Sequence, residues 1–449
     1  MTYQEEYQSK LKTAEEAVKV VKSGDWVEYG AFAGQAYALD AALAGRAEEL
    51  EDVKIRGCCT TMPPQVIAVD PDGKHFNYSS FHFSGLERKL GQKAQAFFVP
   101  MLFHEYPRYY RQELNHGEVK SNVVFIPVAA MDDSGYFNFG PEASHFHAMV
   151  EVADTVIVEV NASMPVCYGG YGENVHISDV DIIVENDRPL DEVPPANFGE
   201  IDKKVAEFVM GELFDGACIQ LGIGGMPNAI GKMISESDLK DLGIHSEMFT
   251  DSMVDMVLSG RVTGKRKNVN PGKHVYTFAM GTKRCYDFLD KNTSCAIFPV
   301  DYTNDPFVVG SIDNFIAINN CLEMDLYGQA SSEAAGIKQI SGTGGQADFM
   351  LGAYRSKGGK AIMALSSTVK MKDGTVKSRI RPTFDPYTIV TTPRSMMNYV
   401  ATEYGIVNLK ARSTWQRAEA LISIAHPDFR EELIQEAEKM NIWRKSNKR

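Results

Sequence analysis

The stretch Gly216-Ala-Cys-Ile-Gln-Leu-Gly-Ile-Gly-Gly-Met-Pro-Asn-Ala-Ile-Gly231 decides the fold. Its apolar run, Ala217 to Leu221, reads as a short buried strand, the glycines as a tight turn, and the residues beyond Met226 as a helix. A strand, a glycine turn and a helix in that order belong to α/β layers with largely parallel sheets. Unencumbered N–H groups in the turn, together with the helix N-terminus, can hold a phosphate or stabilise a developing oxyanion. The turn is not a dinucleotide fingerprint. Its third glycine is missing, and no acidic residue closes a short βαβ unit at the expected distance.

The same unit recurs upstream. Residues 24–39, Gly24-Asp-Trp-Val-Glu-Tyr-Gly-Ala-Phe-Ala-Gly-Gln-Ala-Tyr-Ala-Leu39, again place a glycine before a strand, a second glycine six residues on, and a small-residue turn before a helix. A strand near Val53-Lys-Ile-Arg-Gly57 then matches Gly243-Ile-His-Ser246, and Thr155-Val-Ile-Val-Glu-Val160 matches Lys360-Ala-Ile-Met-Ala-Leu365. Three matched pairs in one order predict a duplicated α/β unit. Between the copies, residues 185–202 carry three prolines (189, 194 and 195) and six acidic side chains without apolar periodicity, the composition of a linker. The expected organisation is therefore a domain over 1–190 and a similar one over 200–449. Apolar spacing predicts helices at 13–23, 36–49, 202–214, 226–237, 394–403 and 428–440. Val/Ile-rich runs predict strands at 123–128, 156–160, 218–222 and 361–365.

Composition bounds the function. A chain of 449 residues is too long for one compact core. A net charge of −13 argues against general nucleic-acid binding, and it means that an anionic ligand needs a local basic patch. Seven scattered cysteines without CxxC spacing suit a reducing cytoplasm rather than a disulfide framework or a zinc site. The polar start Met1-Thr-Tyr-Gln-Glu-Glu6 predicts no signal peptide, and no apolar run approaches a membrane span.

The chemistry concentrates in the second half. In Gly243-Ile-His-Ser-Glu-Met-Phe-Thr-Asp251 one carboxylate, Glu247, stands among mostly apolar and neutral neighbours, shortly after the glycine turn. A carboxylate beside an anion-binding turn suits nucleophilic attack on the ligand's acyl group. A second turn, Gly342-Thr-Gly-Gly-Gln-Ala-Asp-Phe349, repeats the same physics at another strand end. Lys370-Met-Lys-Asp-Gly-Thr-Val-Lys-Ser-Arg-Ile-Arg381 reads as a hairpin about Asp373-Gly374, with Lys377, Arg379 and Arg381 on one strand face and Lys370 and Lys372 on its partner's. It is either a solvated hairpin or a receiver for the phosphates of a nucleotide-containing cofactor. His145-Phe-His147 lacks a third metal ligand. His245 is read as packed or surface-lying, with a tuning role for Glu247 as the alternative. Cys58-Cys59, near the aligned position of Glu247 in the other copy, reads as small core residues more readily than as nucleophiles. No Gly-x-Ser-x-Gly elbow is present.

Taken together, Gly222-Ile-Gly-Gly-Met-Pro227, the Glu247 segment, Ile318-Asn-Asn-Cys-Leu-Glu-Met-Asp-Leu-Tyr-Gly-Gln329 and the second glycine turn resemble the family I coenzyme A transferases. The branch is the acetyl-CoA hydrolase/transferase type, which includes the butyryl-CoA:acetate and 4-hydroxybutyrate enzymes, the former the nearer. The resemblance covers nearly the whole chain. It implies two similar α/β domains with the active site between them, a cytoplasmic homo-oligomer, small-molecule partners only, and neither metal nor permanently bound cofactor, coenzyme A being a substrate. It implies Glu247 as nucleophile. It places CoA contacts at Gly222, Ile223, Gly224, Gly225 and Met226, and at Leu322, Gly345 and Lys372, with Asn319 and Gln346 beside the acyl oxygen or the carboxylate. Where relatives often carry Asp-Phe-x-Arg-Gly, this chain has Asp348-Phe-Met-Leu-Gly352, so no arginine contact is assigned there.

The implied activity moves CoA from a short-chain acyl-CoA such as butyryl-CoA to a short carboxylate such as acetate, by ping-pong through a glutamyl-CoA thioester. A 4-hydroxybutyrate transferase, an acyl-CoA hydrolase admitting water, and a CoA-binding sensor without turnover stay open as alternatives. The small-residue runs Gly30-Ala-Phe-Ala-Gly34 and Gly169-Gly-Tyr-Gly172 are expected to wall the acyl pocket from the first domain.

Overall fold

The protein is described by a computed structural model over residues 2–112, 121–444 and 446. Its two large sheets are both nearly all parallel. The first, from edge to edge, runs Phe97–Phe98, Phe76–Ser80, Val53–Cys58, Trp26–Ala31, Val123–Val128, Thr155–Val160 and Ile182–Glu185, every pair parallel. The second runs Gly243–Ile244, Cys218–Leu221, Phe315–Asn320, Lys360–Ala364, Tyr399–Thr402 and Gly405–Asn408, with only the last pair antiparallel.

The predicted duplication is visible in this order. Trp26–Ala31 lies between Val53–Cys58 and Val123–Val128, just as Cys218–Leu221 lies between Gly243–Ile244 and Phe315–Asn320. Thr155–Val160 and Lys360–Ala364 come next in their sheets, so all three matched pairs occupy equivalent places. Central strands are buried on both faces, which is why they read as unbroken apolar runs. Alternate side chains then feed separate cores: Val123 and Phe125 on one face, Val124, Ile126 and Val128 on the other. In the second half, helices Glu200–Met210 and Gly225–Glu236 pack together over one sheet face.

One expected helix is absent. Residues 394–403 form the strand Tyr399–Thr402, which pairs with Lys360–Ala364 and turns back through Gly405 into Gly405–Asn408. Val400 and Ala401 are both fully buried, and a short run buried on two faces has no periodicity to separate strand from helix. The basic hairpin forms about Asp373-Gly374, but its strand ends at Ser378. Ile380–Arg381 pairs instead with Met324–Asp325, so the expected three-cation face through Arg381 is broken.

Backbone hydrogen bonds stitch the halves together. Ala143 N–H donates to Thr277 O (3.2 Å), Ala279 N–H to Pro141 O (2.8 Å), Val300 N–H to Ser144 O (2.7 Å) and Phe103 N–H to Gly344 O (3.2 Å). The irregular segment 186–199 crosses between them, held at Asp191. That carboxylate accepts from Thr61 Oγ1 (2.6 Å), from Arg188 (2.8 Å) and from the Tyr37 hydroxyl. None of the seven cysteines is in a disulfide, and among the described residues no helix is long and apolar enough to cross a membrane.

Burial opposes ionisation of Asp191, but the hydrogen bonds from Thr61, Tyr37 and Arg188 outweigh it and hold the carboxyl below the usual range. Such a group stabilises the fold above the unfolded-state pKa, and the contribution is lost as pH falls through the lowered native value. Asp191→Asn should therefore lower Tm by about 3 °C or more at pH 7. The gap to wild type should narrow as pH drops below about 4, which scanning calorimetry across pH will check.

Candidate active site

Glu247 sits beside this stitching. The strand Gly243–Ile244 ends beside Cys218–Leu221, and the chain then crosses to the short strand Met248–Phe249, which runs parallel to Phe278–Ala279. The Glu247 carbonyl accepts from the N–H groups of both Thr277 (3.0 Å) and Phe278 (3.2 Å). Phe278 in turn bridges to Glu142 of the first half. Backbone pairing on both sides thus fixes the direction in which the carboxylate points.

That direction is into a cavity of about 300 Å³ between the halves. Its lining includes Gly222, Ile223, Glu247, Asn319, Gly345 and Gln346, so six of the residues singled out in the sequence come together. Others do not line it. Gly224 borders a neighbouring apolar cavity of about 330 Å³ that shares Ile223, Met248 and Met280 with the first. Gly225 lies under the linker, where a Cβ would come within 2.7 Å of Asn197 O, and Met226 is buried. Leu322 is half-buried beside Ser331, to whose carbonyl its N–H donates. Lys372 is exposed at the hairpin tip, outside the cavity lining.

One uncapped helix N-terminus, that of Gln346–Arg355, closes on the site, and a second, that of Gly225–Glu236, starts beside the neighbouring cavity. Gly225–Glu236 and Gln346–Arg355 both begin without a side-chain cap, which leaves their first N–H groups available. The second glycine turn is wedged between the halves. A Cβ on Gly345 would collide with Oε2 of Glu247 and Nδ2 of Asn304, and one on Gly342 would lie 2.6 Å from Nδ1 of His82. Only glycine permits this approach, and Gly344 adds a left-handed φ of 53°.

Asn304, which carried no signal in the sequence, donates from Nδ2 to Glu247 Oε2 at 2.7 Å. Burial pushes the Glu247 carboxyl up to about 7; the Asn304 hydrogen bond pulls against it, the nearby charge of Asp348 adds to it, and a Gly345 backbone hydrogen bond opposes it. Asp348, in the first turn of Gln346–Arg355, is fully enclosed and accepts from His104, whose Nδ1 lies 2.8 Å from Oδ1 and whose backbone N–H is 3.2 Å from Oδ2. Asn320 Oδ1 and Gln346 Oε1 are buried carbonyl oxygens without a protein partner, whereas Asn319 is paired with Gln220 at 3.1 Å.

One wall is apolar, made of Phe32, Cys58, Cys59, Phe103, Tyr106, Met248 and Phe278, while His82, Gln220, Ser332, Ser341 and Thr343 add polar groups elsewhere in the lining. Phe32 stacks on Phe278 with ring centroids 3.7 Å apart, so the run Gly30–Gly34 does supply a wall. The Gly169–Gly172 run does not. Tyr168 O accepts from Ile297 N–H, and a Cβ on Gly172 would lie 2.6 Å from Pro299, so this run docks against the second half away from the cavity. His245 is a packed, uncharged ring pushed down to about 3 by burial, bonded through Nε2 to Thr303 O. His145 stacks on Tyr110 while His147 faces Glu151, so the pair diverges. Among the described residues no cluster of three or more His, Cys, Asp or Glu side chains is arranged to hold a metal.

Removing the Asn304 amide deletes a hydrogen bond that favours the ionised form of Glu247. Difference infrared titration against Glu247→Gln should give a carboxyl midpoint near 7 in the wild-type protein, and Asn304→Ala should move it upward.

Comparison with known proteins agrees with this architecture. Family models described as the acetyl-CoA hydrolase/transferase N-terminal and C-terminal domains match residues 1–194 and 281–437. The butyryl-CoA:acetate CoA-transferase of Anaerostipes caccae is 53% identical over 100% of both chains. The 4-hydroxybutyrate coenzyme A transferase of Clostridium kluyveri is 38% identical over 98% of this chain and 100% of its own. Among solved structures, RipA from Yersinia pestis superposes with a TM-score of 0.89 at 36% identity, over 98% of this chain and 100% of its own. The chain is an enzyme of the acetyl-CoA hydrolase/transferase family.

Proposed function

We propose that the protein transfers CoA from a short-chain acyl-CoA such as butyryl-CoA to a short carboxylate such as acetate, with Glu247 as nucleophile. The observation that carries this reading is the Glu247 carboxylate itself. It is half-buried, pushed up to about 7, and aimed into a cavity whose described lining holds no lysine or arginine. A carboxylate stripped of water and of counter-charge is a far better nucleophile than one in solution.

The reaction follows from that placement. Glu247 attacks the thioester carbonyl, the C–S bond breaks, and an acyl-glutamyl anhydride and CoA thiolate result. The thiolate then attacks the glutamyl carbonyl, expelling the first carboxylate and leaving a glutamyl-CoA thioester. A second carboxylate reverses both steps and regenerates Glu247. Thioester energy is kept at each stage, so no nucleotide is hydrolysed, and CoA enters as substrate rather than as resident cofactor. N–H groups at the start of Gln346–Arg355 are suitably placed donors for the oxyanion that develops on the carbonyl. Asn320 Oδ1 and Gln346 Oε1 are acceptors for the amide N–H groups of the pantetheine arm. Gly222, Ile223 and Gly345 are assigned to CoA inside the cavity, and Gly224–Met226, Leu322 and Lys372 to CoA beyond it. The aromatic wall about Phe32 and Phe278 suits a short acyl chain.

The choice of acid follows similarity: the 53% identical relative is named for butyryl-CoA and acetate, and the 38% identical one for 4-hydroxybutyrate.

Initial-rate plots with butyryl-CoA and acetate should be parallel, with little CoA released when acetate is absent. Intersecting lines would contradict the covalent route, and rapid CoA release in buffer would assign the site to hydrolysis. Lys372→Ala should raise KM for acyl-CoA more at low salt than at high salt while leaving kcat nearly unchanged.

A further inference from the structure

The reaction accounts for Glu247 but leaves unexplained why a second carboxylate is buried close to it. Asp348 is 1% exposed, in a position where its charge opposes ionisation of the nucleophile. An uncompensated buried carboxylate is costly, so its partners matter. There are two. One is the Asn304 amide, which bonds Glu247 Oε2 at 2.7 Å and also reaches Asp348. The other is His104, which comes from the opposite half of the molecule.

His104 lies beside the backbone contact between Phe103 N–H and Gly344 O. Its own N–H and its ring Nδ1 both engage Asp348, a two-point grip that requires the halves to be in register. The contacts therefore form one line: His104 on the first half, Asp348 and Asn304 on the second, and then the Glu247 carboxylate.

We propose that His104 is a positioning residue for the transfer reaction, acting through Asp348 and Asn304 to orient the Glu247 carboxylate and to offset the charge of Asp348 that it would otherwise face. This rests on the reading of Glu247 as nucleophile. It also makes the nucleophile complete only when the two halves are apposed, because the compensating group is supplied by the half that does not carry Glu247.

The electrostatics agree with the geometry. Burial disfavours a charged His104, but the Asp348 hydrogen bond and charge outweigh it and raise its pKa. The Asp348 carboxyl is raised by burial and lowered again by His104. Other groups face the same place: Glu105 and Asp305 face His104, and Glu142, Cys58, Cys59 and Tyr106 face Glu247. All of these stay unchanged in the variants below, so differences between variants report the network.

The test is the acid limb of kcat/KM for butyryl-CoA with acetate, which reports the free enzyme's essential base. Titration of CoA's own phosphate is common to all enzymes compared. His104→Asn retains a donor near the Nδ1 position but cannot be protonated. It leaves the Asp348 charge less compensated, so the acid limb should move up by about half a pH unit or more. Asp348→Asn removes that charge and should move the limb down by a similar amount. His104→Asn should keep kcat on the alkaline plateau within about threefold of wild type, whereas His104→Ala should lose tenfold or more.

Opposite shifts establish the network. Equal losses at every pH with no shift in either variant would make His104 a merely structural contact and overturn the proposal. Each variant carries its own predicted sign, so one that failed to fold would leave the other to decide. Glu247→Ala serves as reference. If it kept wild-type turnover, the nucleophile reading itself would fall. If it were inactive and the two limbs stayed put, only the network would fall.

Discussion

The close approach of the Glu247 carboxylate to the backbone of Gly345 is the constraint on which the site depends. Oε2 occupies the space a side chain would fill at that position. This sets one carboxylate oxygen against main chain and the Asn304 amide, while the side chain still borders the cavity. The approach is possible only because the turn from Gly342 to Gly345 is itself held between the halves, against His82 and through the Phe103–Gly344 hydrogen bond. Desolvation, alignment and domain apposition are thus one geometric fact. The raised pKa of Glu247 is its electrostatic expression.

The arrangement also explains why an acidic chain can act on anionic substrates. Against a net charge of −13, the described lining of the cavity carries Glu247 as its one acidic side chain, with neither lysine nor arginine, and its wall is largely apolar. The polar groups at the cavity are main-chain N–H groups at the start of Gln346–Arg355 and neutral side chains such as Asn319, Asn320 and Gln346. On the proposed reading, such groups suit a nucleophile whose charge appears and disappears during turnover, where a fixed cation would hold the ionised state too firmly.

Much of the fold was legible because it depends on local chemistry. Glycine turns after apolar strands mark equivalent points of two sheets, and the order in which they recur predicts the duplicated topology. The strand Tyr399–Thr402 was missed because a short segment buried on both faces carries no periodicity. In the site, Glu247, Gly345 and the Gly222 turn were readable as motif residues. Asn304 and His104 were not, since each is a single polar residue without a motif around it: Asn304 follows the short helix Val300–Thr303 of the same half, and His104, in the single turn Phe103–Glu105, reaches the site only by the apposition of the halves. Asp348 was seen as part of a motif, yet its role as a buried charge needing a partner appears only once burial is known. Lys372 shows the converse: its hairpin formed, but chemistry-bearing residues need not line the cavity, and it lies outside.

The central claim is that the Glu247 carboxylate becomes covalently bound to CoA. The direct measurement is peptide mass spectrometry of the enzyme mixed with butyryl-CoA without acceptor acid, quenched rapidly and digested at low pH. The account predicts a CoA-mass adduct on the peptide containing Glu247, lost on addition of acetate and absent from Glu247→Gln. An enzyme that turns over fully while leaving that peptide unmodified, or that carries the adduct on another residue, would contradict it.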